Sequence, residues 1–567
     1  MISAKLVGLT AFVAAALGGS GAAAPPADFR ARADAIVAAA FPADGPGAAV
    51  IVTRGGETIY AGARGLAVVE GRRPIAPDSV FRLGSITKQF TAAVVLQLVH
   101  EGRISLDDPV SRFLPDYPQP GAAATVRQLL NHTSGIQSYT GIPGWMVEEN
   151  TDRAYTTAEM VALFRDRPSP TPPGQAWAYN NSGYVLLGAI VEQVTGKPWH
   201  EAVAERIAGP LGLATIGYGV DRESGAAMAR GYTDAQGQVR PARRIHMSVP
   251  HAAGALVGTA GDLARWSQAL HHGRVVSSEL YAQMTRPAPL AEGRTHPYGF
   301  GVGLEEVRGR GTIEHGGGIF GFSTYATYIP SDDLFVAILA NSDEPAANPS
   351  IVASRLAALA LGDPYPVFAR ADGDARALAP LFGVYRVGED GVSRRFFARD
   401  GKLYTMRDGG GELEVFAAGD DRFFYGPNSL SWFSIERRAD GAHAMAMHQN
   451  GAAEAERAVR TGEVPPEPAA VQVDRAILDS YVGQYATGGP LVDIAMAQGG
   501  GLTIQLGGQP VLPLRATGEA EFVVQRVNAR IVFHRENGAV NRLVIHQGGR
   551  EIEARRATRP SPGNDSL

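Results

Sequence analysis

Cysteine does not occur in this chain of 567 residues. Its absence excludes disulfide bridges, thiolate zinc sites, a cysteine nucleophile and lipid attachment at a lipobox cysteine. Neither a His-Glu-x-x-His segment nor a carboxylate-rich loop indicates a metal site, so we expect no metal and no cofactor. The formal net charge is −5 and no long basic run is present. A nucleic-acid partner therefore has no electrostatic support.

Lysine is also scarce. Among the 52 basic residues, only positions 5, 88, 197 and 402 are lysines. A guanidinium effectively never gives up its proton, whereas a buried amine loses its charge readily. A lysine at a buried position of this arginine-rich chain therefore favours a role that needs an exchangeable proton.

The N-terminus has the pattern of an export signal. Lys5 precedes a twelve-residue, mostly apolar run at 6–17, and the small residues at 21–24 offer cleavage sites before two prolines. The run is too short to cross a bilayer, which needs about 20 apolar residues. We expect residues 1–24 to be a cleavable signal peptide and the mature protein to be periplasmic or secreted. The alternative is an uncleaved N-terminal anchor.

Residues 25–361 have the pattern of one α+β domain. Short β-rich runs at 48–53 and 58–63, and strand patterns between 298 and 341, enclose a long region of helical periodicity. Strands at both ends with helices between them predict an antiparallel sheet flanked by helices and closed by the two ends of the domain.

The remainder of the chain contains an internal repeat. After a Pro/Asp/Gly-bearing linker at 362–376, the segment LFGVY at 381–385 matches YVGQY at 481–485, and 447–451 matches 545–549. The copies span 377–460 and 474–558, with a proline-rich spacer between them. Each copy, about 80 residues of short strands and turns, predicts a small antiparallel, lipocalin-like β-barrel.

A serine and a lysine stand one helical turn apart in the segment RLGSITK at 82–88. Ser85 is expected to begin a helix, and Lys88 lies three residues later on the same face. The rest of that helix is apolar enough to be buried, which places an amine beside a serine hydroxyl. The alternative is a coincidental Ser-x-x-Lys on a capped helix.

Two further segments carry possible site residues. Tyr179 and Asn181 precede a helix, where a phenol and an amide can point into one cleft, although an Asn/Ser turn capped by Ser182 explains the segment too. His315, Gly317 and Gly318 follow a strand in EHGGGI at 314–319. Glycines permit close approach of a substrate to a sheet edge, but a β-bulge is an equally simple explanation.

In combination, these three segments resemble the serine β-lactamase and penicillin-recognising superfamily, in its class C-like branch. The resemblance implies acyl transfer through a serine ester, with Ser85 as nucleophile and with Lys88 and Tyr179 moving its proton. It implies that Asn181 holds the substrate amide and that the N–H groups of Ser85 and Gly318 hold the oxyanion. Which of Lys88 and Tyr179 is the base stays open, because such close pairs titrate together.

The third motif begins with His315 where many relatives have lysine facing a substrate carboxylate. Versions with histidine followed by a glycine such as Gly317 resemble D-aminopeptidases, D-amino-acid amidases and esterases. An ordinary histidine, with a pKa of about 6.5, gains charge near pH 6, so acid should shift selectivity towards carboxylate substrates. His132, in LLNHTSGI at 129–136, lies in another segment resembling the family and is expected to be structural.

The sequence therefore predicts an exported serine hydrolase cleaving small amides, peptides or esters through an acyl-enzyme on Ser85. The two barrels resemble the D-aminopeptidase architecture, so D-amino-acid-containing peptides are favoured. The only partner expected is a small-molecule or short-peptide substrate. The alternatives are a carboxylic esterase, a weak class C-like β-lactamase or D,D-carboxypeptidase, a penicillin-binding receptor and a silent scaffold. We expect the barrels to lean over the cleft and to influence substrate preference.

Overall fold

The computed structural model describes residues 27–557, apart from 223–224, 236, 389–390, 467, 488–490, 498, 508, 525–526 and 548–549. The expected signal peptide at 1–24 lies outside the described residues. Within the described part of the chain, no helix is both long and apolar enough to span a bilayer.

A six-stranded antiparallel sheet forms the centre of the first domain. Strands from both ends of the domain thus meet in its middle, which confirms the predicted α+β architecture. The strands of the first domain are β1 (Ala48–Arg54), β2 (Glu57–Arg64), β3 (Leu66–Val68), β4 (Arg73–Pro74), β5 (Phe81–Arg82), β6 (Gly217–Tyr218), β7 (Tyr232–Ala235), β8 (Gln238–Pro241), β9 (Leu256–Gly258), β10 (Ala288–Pro289), β11 (Thr295–His296), β12 (Gly303–Val307), β13 (Arg310–Ile319), β14 (Phe322–Ile329) and β15 (Leu334–Ala340). The central sheet has the strand order β12-β13-β14-β15-β1-β2, and the other strands form small separate sheets.

Helices cover both faces of this sheet. They are α1 (Phe29–Ala40), α2 (Thr87–His100), α3 (Val126–Leu130), α4 (Glu148–Thr151), α5 (Thr157–Ala162), α6 (Asn181–Thr195), α7 (Trp199–Val203), α8 (Gly219–Arg222), α9 (His251–Gly254), α10 (Ala260–His271), α11 (Ser278–Met284) and α12 (Pro349–Ala360). Side chains of β1 alternate between two cores. Val50 and Val52 pack with α1 and α12 on what we call the outer face, whereas Ala49 and Ile51 pack with α2, α6 and α10 on the inner face.

Two closed eight-stranded antiparallel barrels follow, as the repeat predicts. The first contains β16 (Gly383–Arg386), β17 (Ser393–Arg399), β18 (Lys402–Arg407), β19 (Glu412–Gly419), β20 (Arg422–Phe424), β21 (Trp432–Arg437), β22 (His443–His448) and β23 (Glu456–Gly462). The second contains α13 (Arg475–Tyr481), β24 (Gly483–Ala486), β25 (Leu491–Met496), β26 (Leu502–Leu506), β27 (Leu512–Ala516), β28 (Glu521–Val524), β29 (Ala529–Glu536), β30 (Ala539–Gln547) and β31 (Arg550–Arg556).

One buried tyrosine at the start of each barrel shows that the two copies are built alike. The Tyr385 hydroxyl donates to the carbonyl oxygen of Leu381 at 2.5 Å, and the Tyr485 hydroxyl donates to that of Tyr481 at 2.7 Å. Both tyrosines are fully buried, so each phenol gains an internal acceptor where water cannot reach it.

The first barrel docks on the outer face of the sheet, away from the cleft. Arg308 Nη1 donates to the Gly451 carbonyl at 2.8 Å, and Asn428 Nδ2 donates to the Ala346 carbonyl at 2.9 Å. The backbone N–H of Asn348 donates to Asn428 Oδ1 at 2.8 Å. These contacts lie beside α12, which covers the outer face. The expectation that this barrel leans over the cleft is therefore wrong, because its polar loops pair with the other side of the domain.

Candidate active site

Ser85 lies in a 3₁₀ turn, Gly84–Ile86, that leads directly into α2. Gly84 has φ +54°, a left-handed conformation that favours glycine. The turn is tied to the inner face of the sheet, because Thr324 Oγ1 donates to the Leu83 carbonyl at 2.9 Å. The half-buried Ser85 hydroxyl is therefore presented by a rigid support.

Lys88 is fully buried and meets Ser85 across one helical turn. Its Nζ is 3.0 Å from Ser85 Oγ, and it donates to Asn181 Oδ1 at 2.9 Å and to the Ala253 carbonyl at 2.8 Å. Burial holds the pKa of the Lys88 amine well below its usual range. The two pure acceptors occupy two N–H groups, so a neutral amine keeps its lone pair for the Ser85 proton.

Tyr179 completes the group around the serine. Although 38% of the residue's surface is exposed, its hydroxyl is buried. The ring lies beside the amine, with Lys88 Nζ 4.8 Å from the ring centroid. Burial of the phenol raises its pKa above the usual range, a hydrogen bond with the Ser85 side chain opposes that rise, and the charge of Glu314 adds to it. A phenol with a raised pKa stays protonated near neutral pH, whereas the lowered pKa of Lys88 favours a neutral amine.

Asn181 is the first residue of α6, two residues before the predicted start of that helix. The helix is capped by Asn180, whose Oδ1 accepts from the Gly183 N–H at 2.9 Å. The predicted cap, Ser182, instead accepts from the Tyr139 N–H at 2.8 Å, because its hydroxyl is turned into the core. As the first residue of α6, Asn181 has its side chain within hydrogen-bond distance of the Lys88 amine.

His315 is buried and makes two hydrogen bonds within the protein. Its Nε2 is 2.8 Å from the Tyr298 hydroxyl, and its Nδ1 is 2.5 Å from the Gly316 carbonyl. Burial, with a smaller contribution from the charge of Lys88, lowers the pKa of His315 to about 3. The expectation that it gains charge near pH 6 is therefore wrong. A neutral imidazole donates Nδ1–H to the carbonyl and accepts from the phenol.

Tyr298 is the residue that sequence reasoning missed. It was expected to begin a strand, but β12 begins at Gly303, and the Tyr298 ring lies 4.7 Å from that of His132 and 6.4 Å from that of Tyr179. His132 is buried, and its Nδ1 accepts a hydrogen bond from the Asn180 backbone N–H at 3.2 Å. It therefore packs in the interior. The signal in the sequence that could have identified Tyr298 is the alternation of aromatic residues and glycines in YGFGVG at 298–303.

Gly317 and Gly318 lie on β13 where one edge of the strand is uncovered, because β12 pairs with it only over 310–314. A Cβ on Gly317 would stand 2.1 Å from the Leu83 carbonyl oxygen, so only glycine lets the strand approach the serine turn this closely. The ideal Cβ position of Gly84 is 3.0 Å from the Gly318 nitrogen. The Gly318 N–H is thus adjacent to the turn that carries the nucleophile.

The seven residues singled out in the sequence are brought together on the inner face of the sheet. The arrangement brings together a serine hydroxyl, a desolvated amine, a phenol, an amide and a glycine edge, which are groups that a serine acyl-transfer site requires. Within the described part of the chain, no group of three or more His, Asp or Glu side chains is placed to hold a metal ion.

Fold and site together define a serine hydrolase of the β-lactamase type. The family model described as Beta-lactamase matches residues 34–361, and the chain belongs to that family. A penicillin-binding protein of Bacillus subtilis (strain 168) is 26% identical over 438 residues, 73% of this chain and 94% of that protein. A D-aminopeptidase of Gluconobacter oxydans (strain 621H) is 29% identical over 376 residues, 65% of this chain and 68% of that protein.

Among solved structures, the octameric penicillin-binding protein homologue from Pyrococcus abyssi is similar, with a TM-score of 0.52 and 26% identity. The match covers 73% of this chain and 95% of that one. These findings confirm the predicted family, the predicted fold and the predicted enzyme class. The roles of the individual site residues stay predictions.

Proposed function

We propose that the chain is an exported serine hydrolase that cleaves small amides, peptides or esters through an acyl-enzyme on Ser85. The observation that carries this proposal is the desolvated Lys88 amine, held 3.0 Å from Ser85 Oγ while two acceptors orient it. A buried lysine without its charge is a competent general base.

The geometry supports the following sequence of proton transfers. Neutral Lys88 accepts the Ser85 proton as Oγ attacks the substrate carbonyl carbon, and the N–H groups of Ser85 and Gly318 stabilise the oxyanion. The proton passes to the leaving amine or alkoxide through the Tyr179 phenol, and the C–N or C–O bond breaks. Water then gives a proton to Lys88 and attacks the ester, which releases the acid and restores the Ser85 hydroxyl.

Two observations favour substrates with a D-amino-acid acyl group and no carboxylate near the reacting bond. The relatives include a D-aminopeptidase, and His315 is a neutral, internally bonded side chain where a fixed cation would be needed to bind a carboxylate. A neutral imidazole whose lone pair already accepts a hydrogen bond offers such an anion little.

Export is the part of the proposal that rests on residues 1–24 alone. The support is the charge at Lys5, the apolar run at 6–17 and the small residues that follow. N-terminal sequencing of protein recovered from the periplasmic or culture fraction tests it. An intact N-terminus on protein retained with the cells would contradict cleavage and release.

A fluorophosphonate probe and a substrate panel test the reaction. The panel contains D- and L-aminoacyl nitroanilides, a short-chain nitrophenyl ester and a chromogenic cephalosporin. We expect the probe to label the wild type and not Ser85→Ala. The D-aminoacyl nitroanilide should compete with the probe and should itself be hydrolysed. Permanent labelling without turnover would indicate a receptor, and no labelling would indicate a scaffold. Faster hydrolysis of the L-aminoacyl nitroanilide or of the cephalosporin would contradict the proposed preference for a D-amino-acid acyl group without a nearby carboxylate.

A further inference from the structure

An apolar cavity of about 500 Å³ lies between the outer face of the first domain and the first barrel. Its walls come from α1, from α12, from the linker at 364–368 and from the barrel loop at 426–431. The volume is within the range of small-molecule sites, roughly 300–1,000 Å³. Because Ser85 is on the inner face of the sheet, this cavity is separate from the site described above.

The lining is apolar over most of its surface and carries charge of only one sign. Ile36, Ile351, Leu359, Phe368 and Leu430 provide aliphatic and aromatic walls. Two arginines, at positions 32 and 355, are the charged residues among those that line the cavity, and none of the lining residues is an aspartate or glutamate. A cavity with apolar walls and only positive charge is complementary to an anion that carries an apolar chain.

Arg355 is the more deeply placed of the two. Its guanidinium makes two long hydrogen bonds, with Nη1 3.4 Å from the Pro366 carbonyl and Nη2 3.4 Å from the Ser429 carbonyl. The described residues provide no carboxylate within ion-pair distance of it. A partly buried guanidinium usually has an anionic partner, because withdrawing it from water is otherwise costly.

Arg32 lies on α1 and is free to turn towards the same ligand. It forms an ion pair with Asp28 at 3.9 Å, and the two side chains are 43% and 62% exposed. Such a pair contributes little, since exposed charges are screened by water. Val367, at the rim of the cavity, is 82% exposed, so it too would gain from an apolar ligand.

We propose that this cavity is a binding site for an amphipathic anion, a molecule with one carboxylate or phosphate head and an unbranched apolar chain. The head pairs with Arg355 and Arg32, and the chain packs along α1 and the Phe368 side of the linker. The inference is independent of the reaction at Ser85. Because the ligand would contact both the first domain and the barrel, its binding would stabilise their association.

The test measures the affinity of decanoate for the full chain by calorimetry, below the concentration at which micelles form. Decyl phosphate is the second anion, and it distinguishes a fatty acid from a phosphorylated amphiphile. Decan-1-ol and decyltrimethylammonium have the chain without the negative charge, and acetate has the charge without the chain. We expect one of the two anions to bind at least about tenfold more tightly than these three controls.

Two variants locate the site. Arg355→Met keeps an unbranched side chain but removes the charge, and should weaken binding of the anion at least about tenfold. Ala39→Phe fills the cavity from α1 and should weaken it without changing any charge. Arg30→Met is the matched control, because Arg30 lies on α1 but does not line the cavity, and it should bind like the wild type.

Three results would overturn the proposal. The first is that neither anion binds. The second is that decanoate and decyltrimethylammonium bind equally tightly, and the third is that neither Arg355→Met nor Ala39→Phe changes the affinity for the anion. The last result would place the anion elsewhere, for example at Ser85 as a product analogue. Circular dichroism confirms that each variant is folded, and the two variants act by different means, so a folding defect in one leaves the other as a test.

Discussion

The Lys88 amine has three polar neighbours, and only one of them is placed to exchange a proton with it. Asn181 Oδ1 and the Ala253 carbonyl can only accept, so they orient two N–H groups whether the amine is charged or neutral. The third position faces Ser85 Oγ. The site therefore changes its protonation state without changing its geometry, which suits a group that takes up and returns a proton in each turnover.

Lys88→Arg tests whether proton exchange is needed. The guanidinium keeps its proton and is too large for a fully buried position, so kcat/KM and the rate of fluorophosphonate labelling should each fall by more than about tenfold, or about 1.4 kcal/mol of barrier. The matched control is Lys197→Arg, since Lys197 is an exposed lysine paired with Glu205. Retention of more than about a tenth of the activity in Lys88→Arg would contradict the role of Lys88.

The pH dependence of labelling tests which group is the base. Labelling needs the neutral amine, and burial lowers the pKa of Lys88, so the rate should rise with pH through a midpoint well below the usual pKa of lysine. Tyr179→Phe should slow labelling but leave that midpoint in place, because the pKa of the Tyr179 phenol is raised rather than lowered. A midpoint near the ordinary lysine value, or one lost with Tyr179→Phe, would assign the base to the tyrosine.

The pH dependence of substrate selectivity tests the protonation state of His315. An ordinary histidine would make the selectivity change near pH 6, whereas the buried His315 should not. Its pKa is lowered to about 3, so it is neutral both near pH 7.5 and near pH 6. The ratio of kcat/KM for an amide substrate to that for a carboxylate-bearing substrate should therefore stay within about twofold between these pH values. A larger shift in wild type that disappears in His315→Gln would show that the imidazole does titrate there.

Among the secondary-structure elements, the contact between β13 and the serine turn positions Ser85. A methyl group on Gly317 would meet the Leu83 carbonyl at 2.1 Å and Thr324 Oγ1 at 2.2 Å. Gly317→Ala should therefore push the turn away from the strand. We expect about 1–3 kcal/mol of lost stability and at least a tenfold fall in kcat/KM, because the Ser85 and Gly318 N–H groups separate.

Gly311→Ala is the control for this change on the same strand. A Cβ at Gly311 meets no atom within 4 Å, so its stability in denaturant unfolding and its kcat/KM should both match the wild type. Equal effects of the two substitutions would show that the loss reflects the strand as a whole, and not its contact with the serine turn.

At the scale of the whole molecule, each barrel closes around its own core. A chain that ends at residue 470 lacks the second barrel but keeps the docked first one. We expect its kcat/KM for the nitroanilide to stay within about twofold of the full chain, because the hydrogen bonds of Lys88 and His315 involve no residue of the second barrel. A change in substrate ratios would show that the second barrel reaches the cleft.

A chain that ends at Asp363 behaves differently, because it loses the acceptor of the Arg308 bond at Gly451 and uncovers the apolar side of α12. Its melting temperature should be lower than that of the chain ending at residue 470, while Ser85 still labels with the probe. Loss of labelling alongside a retained melting temperature would contradict this division between stability and chemistry.

Features that depend on local pattern and residue type can be predicted from the amino-acid sequence alone. Strand runs on either side of a helical region predict the antiparallel sheet, a repeat at a spacing of about 100 predicts two barrels, and one lysine three residues after a serine predicts their contact. The helix repeat brings Ser85 and Lys88 together in any context, since residues three apart share a face. The three motifs in combination indicate the family through their resemblance to it.

Features that depend on burial by distant residues follow from the complete fold and could not be predicted from local pattern. Lys88 meets acceptors 93 and 165 positions away. Burial in a closed interior keeps His315 neutral, and its Nε2 is bonded there by Tyr298, 17 positions away. The docking of the first barrel on the outer face likewise follows from which surfaces of α1 and α12 remain uncovered. A protonation state and a docking face depend on the dielectric and on the neighbours that the whole fold supplies, and neither is written in a local pattern.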